Sequence, residues 1–156
     1  MNQGTVTIGA NEWGVWVAAL PDELAQGLGN LASIPANAGM LFDMGYECVP
    51  TVTTHPMLFN IDIVFVDSNF QVLEVHENIA PGNEITPGSA VQYFMEVNAG
   101  EAASVNAGDS VAIMITEVTS PTFSVQAWGA ILATAALVIL PMVGNWLEGV
   151  IEKEKK

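Results

Sequence analysis

Five polar side chains in this 156-residue chain have the types and settings from which chemistry could be built. Asp62 sits inside the apolar run 61–66, IDIVFV, where an unpaired charge is costly to bury. It reads either as a carboxylate held by backbone N–H groups at a strand crossing or as the acid of a pocket. Glu96 ends the run FME just before Asn98-Ala99-Gly100. If it faced the same cavity as Asp62, the two would make an acid/base pair, with carboxyls about 5 to 9.5 Å apart across an open cleft. Asn98 reads as a helix N-cap whose side chain satisfies free N–H groups. His55 and His76, with Glu74, Glu77 or Asp62, are the material for a carboxylate-rich cation site. No helical His-x-x-x-His pair or comparable ligand spacing accompanies them, so neither a metal centre nor a cofactor is expected. Cys48 is the only cysteine, which excludes an internal disulfide and a thiolate cluster. Nothing in the spacing sets His55 against it as the base a reactive thiolate needs. No Gly-x-Ser-x-Gly elbow supports a serine triad.

The elements that must carry these residues are mostly short strands. Residues 5–8 and 14–20 alternate as strands, joined around Ala10-Asn11. Pro21-Asp22-Glu23 has the proline and first-turn acids of a helix start, with the helix reaching about Gly29-Asn30. After a loop, strands are expected over 39–44 and 51–54. The nearly continuous apolar run 61–66 is the pattern of a strand covered on both faces. Asp67-Ser68-Asn69 turns the chain back into 70–79, with Val72, Glu74 and His76 on one face and Leu73, Val75 and Glu77 on the other. Two Pro-Gly pairs make 80–89 a loop. In strand 91–97, Gln92, Phe94 and Glu96 oppose Tyr93, Met95 and Val97. One or two helical turns over 99–105, a turn over 106–109 and a last strand over 110–118 complete about eight strands. The expected fold is mainly β (α+β), a small β-barrel-like domain with one or two short helices, since closure removes unpaired edges.

Charge narrows the partners. Residues 1–147 contain no Lys or Arg, against fourteen Asp and Glu. Nucleic-acid affinity arises mainly from Lys and Arg displacing counterions, so nucleic acid is excluded as a partner of this domain. Internal salt bridges are limited to what the two histidines supply, and self-repulsion is left to salt or cations.

Residues 118–147 carry no charge, and 127–147 is apolar on every side. About 20 such residues match the hydrocarbon thickness of a bilayer. Trp128 and Trp146 bracket the run eighteen residues apart, roughly 27 Å of helix and the spacing of two interfacial aromatic belts. Pro141 is tolerated in a membrane span, where a kink can be satisfied locally. The expected organisation is therefore a β-rich domain over 1–118, a tether over 119–126, a single transmembrane helix over 127–149 and a charged tail over 150–156. The N-terminus lacks the basic and apolar regions of a cleavable signal. Lys153, Lys155 and Lys156 directly follow the span and none precedes it, which by the positive-inside rule puts the tail in the cytoplasm, or facing the genome in a virion, and the acidic domain outside.

Three segments in order, GMLF at 39–42, MLFNIDIVFVD at 57–67 and FMEVNAGEA at 94–102, resemble the family called domain of unknown function 192. GDSV at 108–111 and PDELAQGLG at 21–29 extend the resemblance over about residues 13–117. The resemblance implies a small β-barrel-like fold with one main helix and implies little about activity. Where the family usually carries Phe-Trp-Met-Lys-Asn-Thr, this chain has Val52, Thr53, Thr54, His55, Pro56 and Met57. A family pocket that used those groups for an anionic or sugar-like ligand has here lost its cation and its stacking surface.

Three functions follow, in this order. The first is a membrane-anchored, non-enzymatic β-domain that binds a partner protein or small ligand, with Asp62, Glu96, Asn98, His55 and His76 as candidate ligand residues. The second is a structural membrane component of a virion or envelope assembly. The third is a paired-carboxylate enzyme on an envelope substrate. The partners expected are the lipid bilayer and a protein, with a homo-oligomer left open.

Overall fold

The computed structural model describes residues 1–116. The expected tether, transmembrane helix and tail, with Trp128, Pro141, Trp146, Lys153, Lys155 and Lys156, lie outside them. Among the described residues no helix is long and apolar enough to cross a membrane.

Strands β1 (Asn2–Ile8) and β2 (Asn11–Ala18) form a hairpin whose Ile8 pairs with Asn11, so the turn is Gly9-Ala10, one residue earlier than expected. Helix α1 (Pro21–Gln26) begins on its proline. The Glu23 carboxylate accepts the Ala19 and Leu20 N–H groups at 3.1 and 3.2 Å. Instead of reaching residue 29, α1 stops where Gly27 turns to φ 50°, a conformation that costs glycine little. The chain then enters β3 (Ala38–Cys48), which pairs with β2 in parallel. A parallel pair cannot be joined by a hairpin. The crossover lays α1 over one face of the sheet and thereby makes the roof of the site described below.

The remaining strands are β4 (Val52–Thr53), β5 (Ile61–Val66), β6 (Val72–Ile79), β7 (Glu84–Ile85), β8 (Val91–Asn98) and β9 (Val111–Thr116). Seven of the nine strands form one sheet in the order β6-β5-β8-β3-β2-β1-β9, while β4 and β7 pair separately. The expected barrel is not closed, because no ladder joins β6 to β9. The ends are only tied, through Val72 N–H to Asp109 O at 2.9 Å, Gly108 N–H to Val72 O at 2.8 Å and Val111 N–H to Phe70 O at 2.8 Å. The expected helical turns over 99–105 are a succession of turns without a helix.

The sheet has a core on each side. All seven strands contribute to the first, among them Val6, Trp13, Val15, Leu41, Val64, Val72, Met95, Val97 and Val111. The second lies on the other face of β3, β5 and β8, where Met40, Phe42, Ile61, Ile63, Phe65 and Phe94 meet Leu28, Ile34, Val52 and Met57. β5 is buried at every position because it has a core on both sides. Register separates the faces of β6. An extra residue at Leu73, between the pairs Val66–Val72 and Phe65–Glu74, throws the strand out of step. Val72 and Val75 therefore face the first core, while Glu74 and His76 pair with residues of the second; the simple alternation expected for β6 does not hold.

Gly39, in the GMLF segment, reflects the close approach of β3 to β8. A Cβ there would stand 2.5 Å from the Glu96 carbonyl oxygen and 2.9 Å from the Val97 side chain.

Candidate functional site

Asp62 is fully buried, and its carboxylate belongs to the first core's face, in step with Val64 and Val66. Its Oδ1 accepts the Asn78 N–H at 2.8 Å, and its Oδ2 accepts Gly100 and Ala102 N–H at 2.8 and 2.9 Å. One side chain thus fastens the end of β6 and the turns after β8 to β5. The geometry is that of a carboxylate saturated by backbone donors.

Asn98 is the last residue of β8 rather than a helix N-cap, since no helix follows it. Its Nδ2 donates to the Pro35 carbonyl at 3.0 Å and to Glu101 Oε1 at 3.2 Å. Glu101 also accepts the Trp13 indole N–H at 3.0 Å and the Asn37 N–H at 3.0 Å. This polar knot ties the loop before β3 to the turns after β8. Glu101 was not among the residues singled out from sequence, although it lies within FMEVNAGEA.

His76 Nε2 lies 3.0 Å from Glu74 Oε2, with its ring edge-on to Phe65 at 5.6 Å. Glu74 also accepts Gly88 N–H, and these partners, His76 first, hold its carboxyl below the usual range. Among the described residues no three of His, Cys, Asp and Glu converge as a metal site would require.

Glu96 has a different setting. Asp62 pairs with Val97 and Ile63 pairs with Glu96, so the two carboxylates project from opposite faces of the sheet. They cannot share a cleft, and the acid/base pair conceived for them is not formed. Glu96 faces the second core and is 3% exposed; none of the described residues donates a hydrogen bond to it, and its carboxyl is not sealed in, since among the described residues no fully buried side-chain oxygen lacks a partner. Burial alone pushes its carboxyl up to about 8, because the low-dielectric surroundings penalise the charged form.

Its carboxyl lies at a cavity of about 270 Å³. The stacked rings of Phe42 and Phe94, 4.2 Å apart and 8° from parallel, form one wall with Met44. Leu24 through Gly29 form the roof, and the segment 50–53 with His55 and Met57 closes the side. Of the residues singled out from sequence, only Glu96 and His55 are brought together here, with His55 on the exposed rim. The apolar lining was missed individually. PDELAQGLG and the departing segment 52–57 were its only sequence signals.

Thr54, fully buried, fixes the rim. Its hydroxyl donates to Ala80 O at 2.8 Å and accepts Asn83 N–H at 2.9 Å. Its backbone N–H donates to Asn83 O at 2.9 Å, and its carbonyl accepts Met57 N–H at 2.9 Å. These bonds hold 52–57 against the 80–83 loop, placing Val52, His55 and Met57 at the cavity.

Comparison with known proteins gives family and fold. The model of the family DUF192, described as "Uncharacterized ACR", matches residues 4–113. No functionally curated protein matches. A crystal structure from Sinorhizobium meliloti 1021, provisionally described as a transcription regulator, is similar with a TM-score of 0.67 and 26% identity, covering 72% of this chain and 93% of that one. A protein of unknown function from Novosphingobium aromaticivorans DSM 12444 is similar with a TM-score of 0.65 and 24% identity, covering 70% of this chain and 83% of that one.

Proposed function

This chain belongs to the DUF192 family, and from that premise we propose that it is a membrane-anchored, non-enzymatic binding module whose ligand enters the cavity at Glu96. One observation carries the proposal: a carboxyl only 3% exposed that accepts no hydrogen bond from the described residues and opens instead on a cavity with largely apolar walls. Buried polar groups are normally satisfied. Asp62 in the same fold is satisfied three times over by backbone donors, whereas the Glu96 carboxyl is left to whatever occupies the cavity.

Apolar walls with one or two placed polar groups are the usual make-up of a small-molecule site. The departure from the family pattern falls on this site, because Val52, Thr53, His55 and Met57 all line it. A neutral carboxyl takes the place of a fixed cation as the polar group, which disfavours anionic ligands. The absence of Lys and Arg from residues 1–147 likewise argues against carrying nucleic-acid binding over from the Sinorhizobium protein's description. Membrane attachment rests on the uncharged run 118–147.

The test uses the full-length protein with 13C-methyl methionine and a panel of small amphiphiles. Binding at the site shifts the methyls of Met44 and Met57, which line the cavity, and leaves Met95 in the first core and Met114 on exposed β9 unmoved. If every compound leaves Met44 and Met57 unmoved, the proposal fails.

A further inference from the structure

We propose that the cavity takes a small organic cation, an ammonium on a short apolar body, with its N–H groups on the Glu96 carboxylate and its body against Phe42 and Phe94. This deepens the binding-module reading and rests on it.

Four observations converge on a cation. Glu96 accepts no hydrogen bond from the described residues and opens on the cavity, and an ammonium brings three donors and no acceptor. The stacked Phe42–Phe94 pair lines the same space, and aromatic rings attract cations. No Lys or Arg lies among residues 1–147, so the field of the domain draws cations in and turns anions away. The cavity, about 270 Å³, is slightly smaller than the usual range for drug-sized ligands, which restricts the body to a few carbons or one ring.

Binding is coupled to a proton. In the empty cavity Glu96 is held protonated at neutral pH by its burial. Seating R–NH3⁺ replaces the acid proton by an ion pair: the carboxylic acid gives its proton to solvent, and the ammonium keeps its own three. One proton leaves per ligand bound, and at a pH well above 8 none does. The remaining lining is electrically silent. α1 and Gly27–Gly29 present Leu24, Ala25, Gln26 and Leu28; β3 presents Phe42 and Met44; β8 adds Phe94; and Ile63 of β5 pairs beside Glu96. In the segment 50–57 the only titratable group is His55, exposed on the rim.

The experiment is calorimetric titration of full-length protein with benzylammonium and with benzyl alcohol, at pH 6.5, in buffers of different ionisation enthalpy. Benzylammonium is expected to bind with release of nearly one proton at pH 6.5, falling to about half a proton at pH 8, where the probe itself is still fully an ammonium. Glu96→Gln is expected to weaken the amine at least tenfold and the alcohol much less. Leu24→Phe, which narrows the cavity from its roof, is expected to weaken both. Binding of the alcohol with no binding of the amine overturns the cation proposal while the pocket stands. Amine binding without proton release, or unaffected by Glu96→Gln, overturns it as well. Failure of every probe, with Met44 and Met57 unmoved by any compound, removes the binding-module reading too.

Discussion

Replacing Asp62 by alanine strips three backbone donors of their acceptor at once. The Ala102 N–H is buried and has nowhere to turn, so it bears a full desolvation cost of about 2–3 kcal/mol. Asn78 and Gly100 are on exposed residues, where water can partly replace the carboxylate, at about 1 kcal/mol each. The total is about 4–5 kcal/mol, a large share of the roughly 5–15 kcal/mol that holds a typical domain together. Asp62→Asn keeps the shape but turns an NH2 towards at least one donor, and about half that loss is expected. Urea denaturation of the full-length protein measures the change in midpoint. Amide hydrogen exchange locates it: protection at Asn78, Gly100 and Ala102 is lost before protection in β2 or β3. A wild-type midpoint in Asp62→Ala, with those three amides still protected, refutes the claim that this carboxylate fastens β6 and the turns after β8 to β5.

Further outcomes follow from the same geometry. Glu101→Ala leaves the Trp13 indole, the Asn37 N–H and the Asn98 amide short of an acceptor, and a loss of about 1–3 kcal/mol is expected in the same denaturation assay. Gly39→Ala drives a methyl into the backbone of β8; overpacking of this kind costs about 1–3 kcal/mol, read as a lowered Tm. Glu96 links stability to pH in a defined direction. Its folded value, about 8, lies above the ordinary 4.5, so the stabilisation is complete below about 4.5 and is lost as pH rises towards 8. Glu96→Gln does not titrate, so its stability relative to wild type should rise across that window by on the order of 5 kcal/mol. A constant difference between the two proteins over that range counts against the buried neutral acid. For the anchor, alkaline extraction should leave the full-length protein with the membranes, and protease added to intact cells or particles should remove the acidic domain; protection of the domain with clipping of the Lys tail means the opposite orientation.

Much of the sheet was legible because strand signals are local. The apolar run of β5 announced a strand covered on both faces, and β8 alternated as its pattern required, with Phe94 and Glu96 opposite Met95 and Val97. What failed was information that resides between strands. Whether Asp62 and Glu96 share a face depends on the pairing of Asp62 with Val97 rather than with Glu96, an offset of one residue that neither strand's own sequence states. The bulge at Leu73 likewise exists only relative to β5. β7 escaped notice because a two-residue strand between Pro-Gly turns is held by tertiary contacts, with Val52 pairing to Ile85. α1 stopped early because Gly27 ended it, although the pattern beyond continued to place Leu28 in a core. The helix expected after Asn98 gave way to turns whose N–H groups had a better acceptor in Asp62, an acceptor 36 residues away in sequence from Asn98 and therefore invisible to capping rules.

The central claim is that Glu96 is a largely buried neutral acid opening on a ligand cavity. The most direct measurement is the pH titration of the Glu96 Cδ resonance in 13C-labelled full-length protein, alone and with saturating benzylammonium. A midpoint near 8 in the free protein that falls by more than one pH unit with the amine present is the predicted result. A midpoint in the ordinary carboxylate range in the free protein, unmoved by the amine, contradicts it.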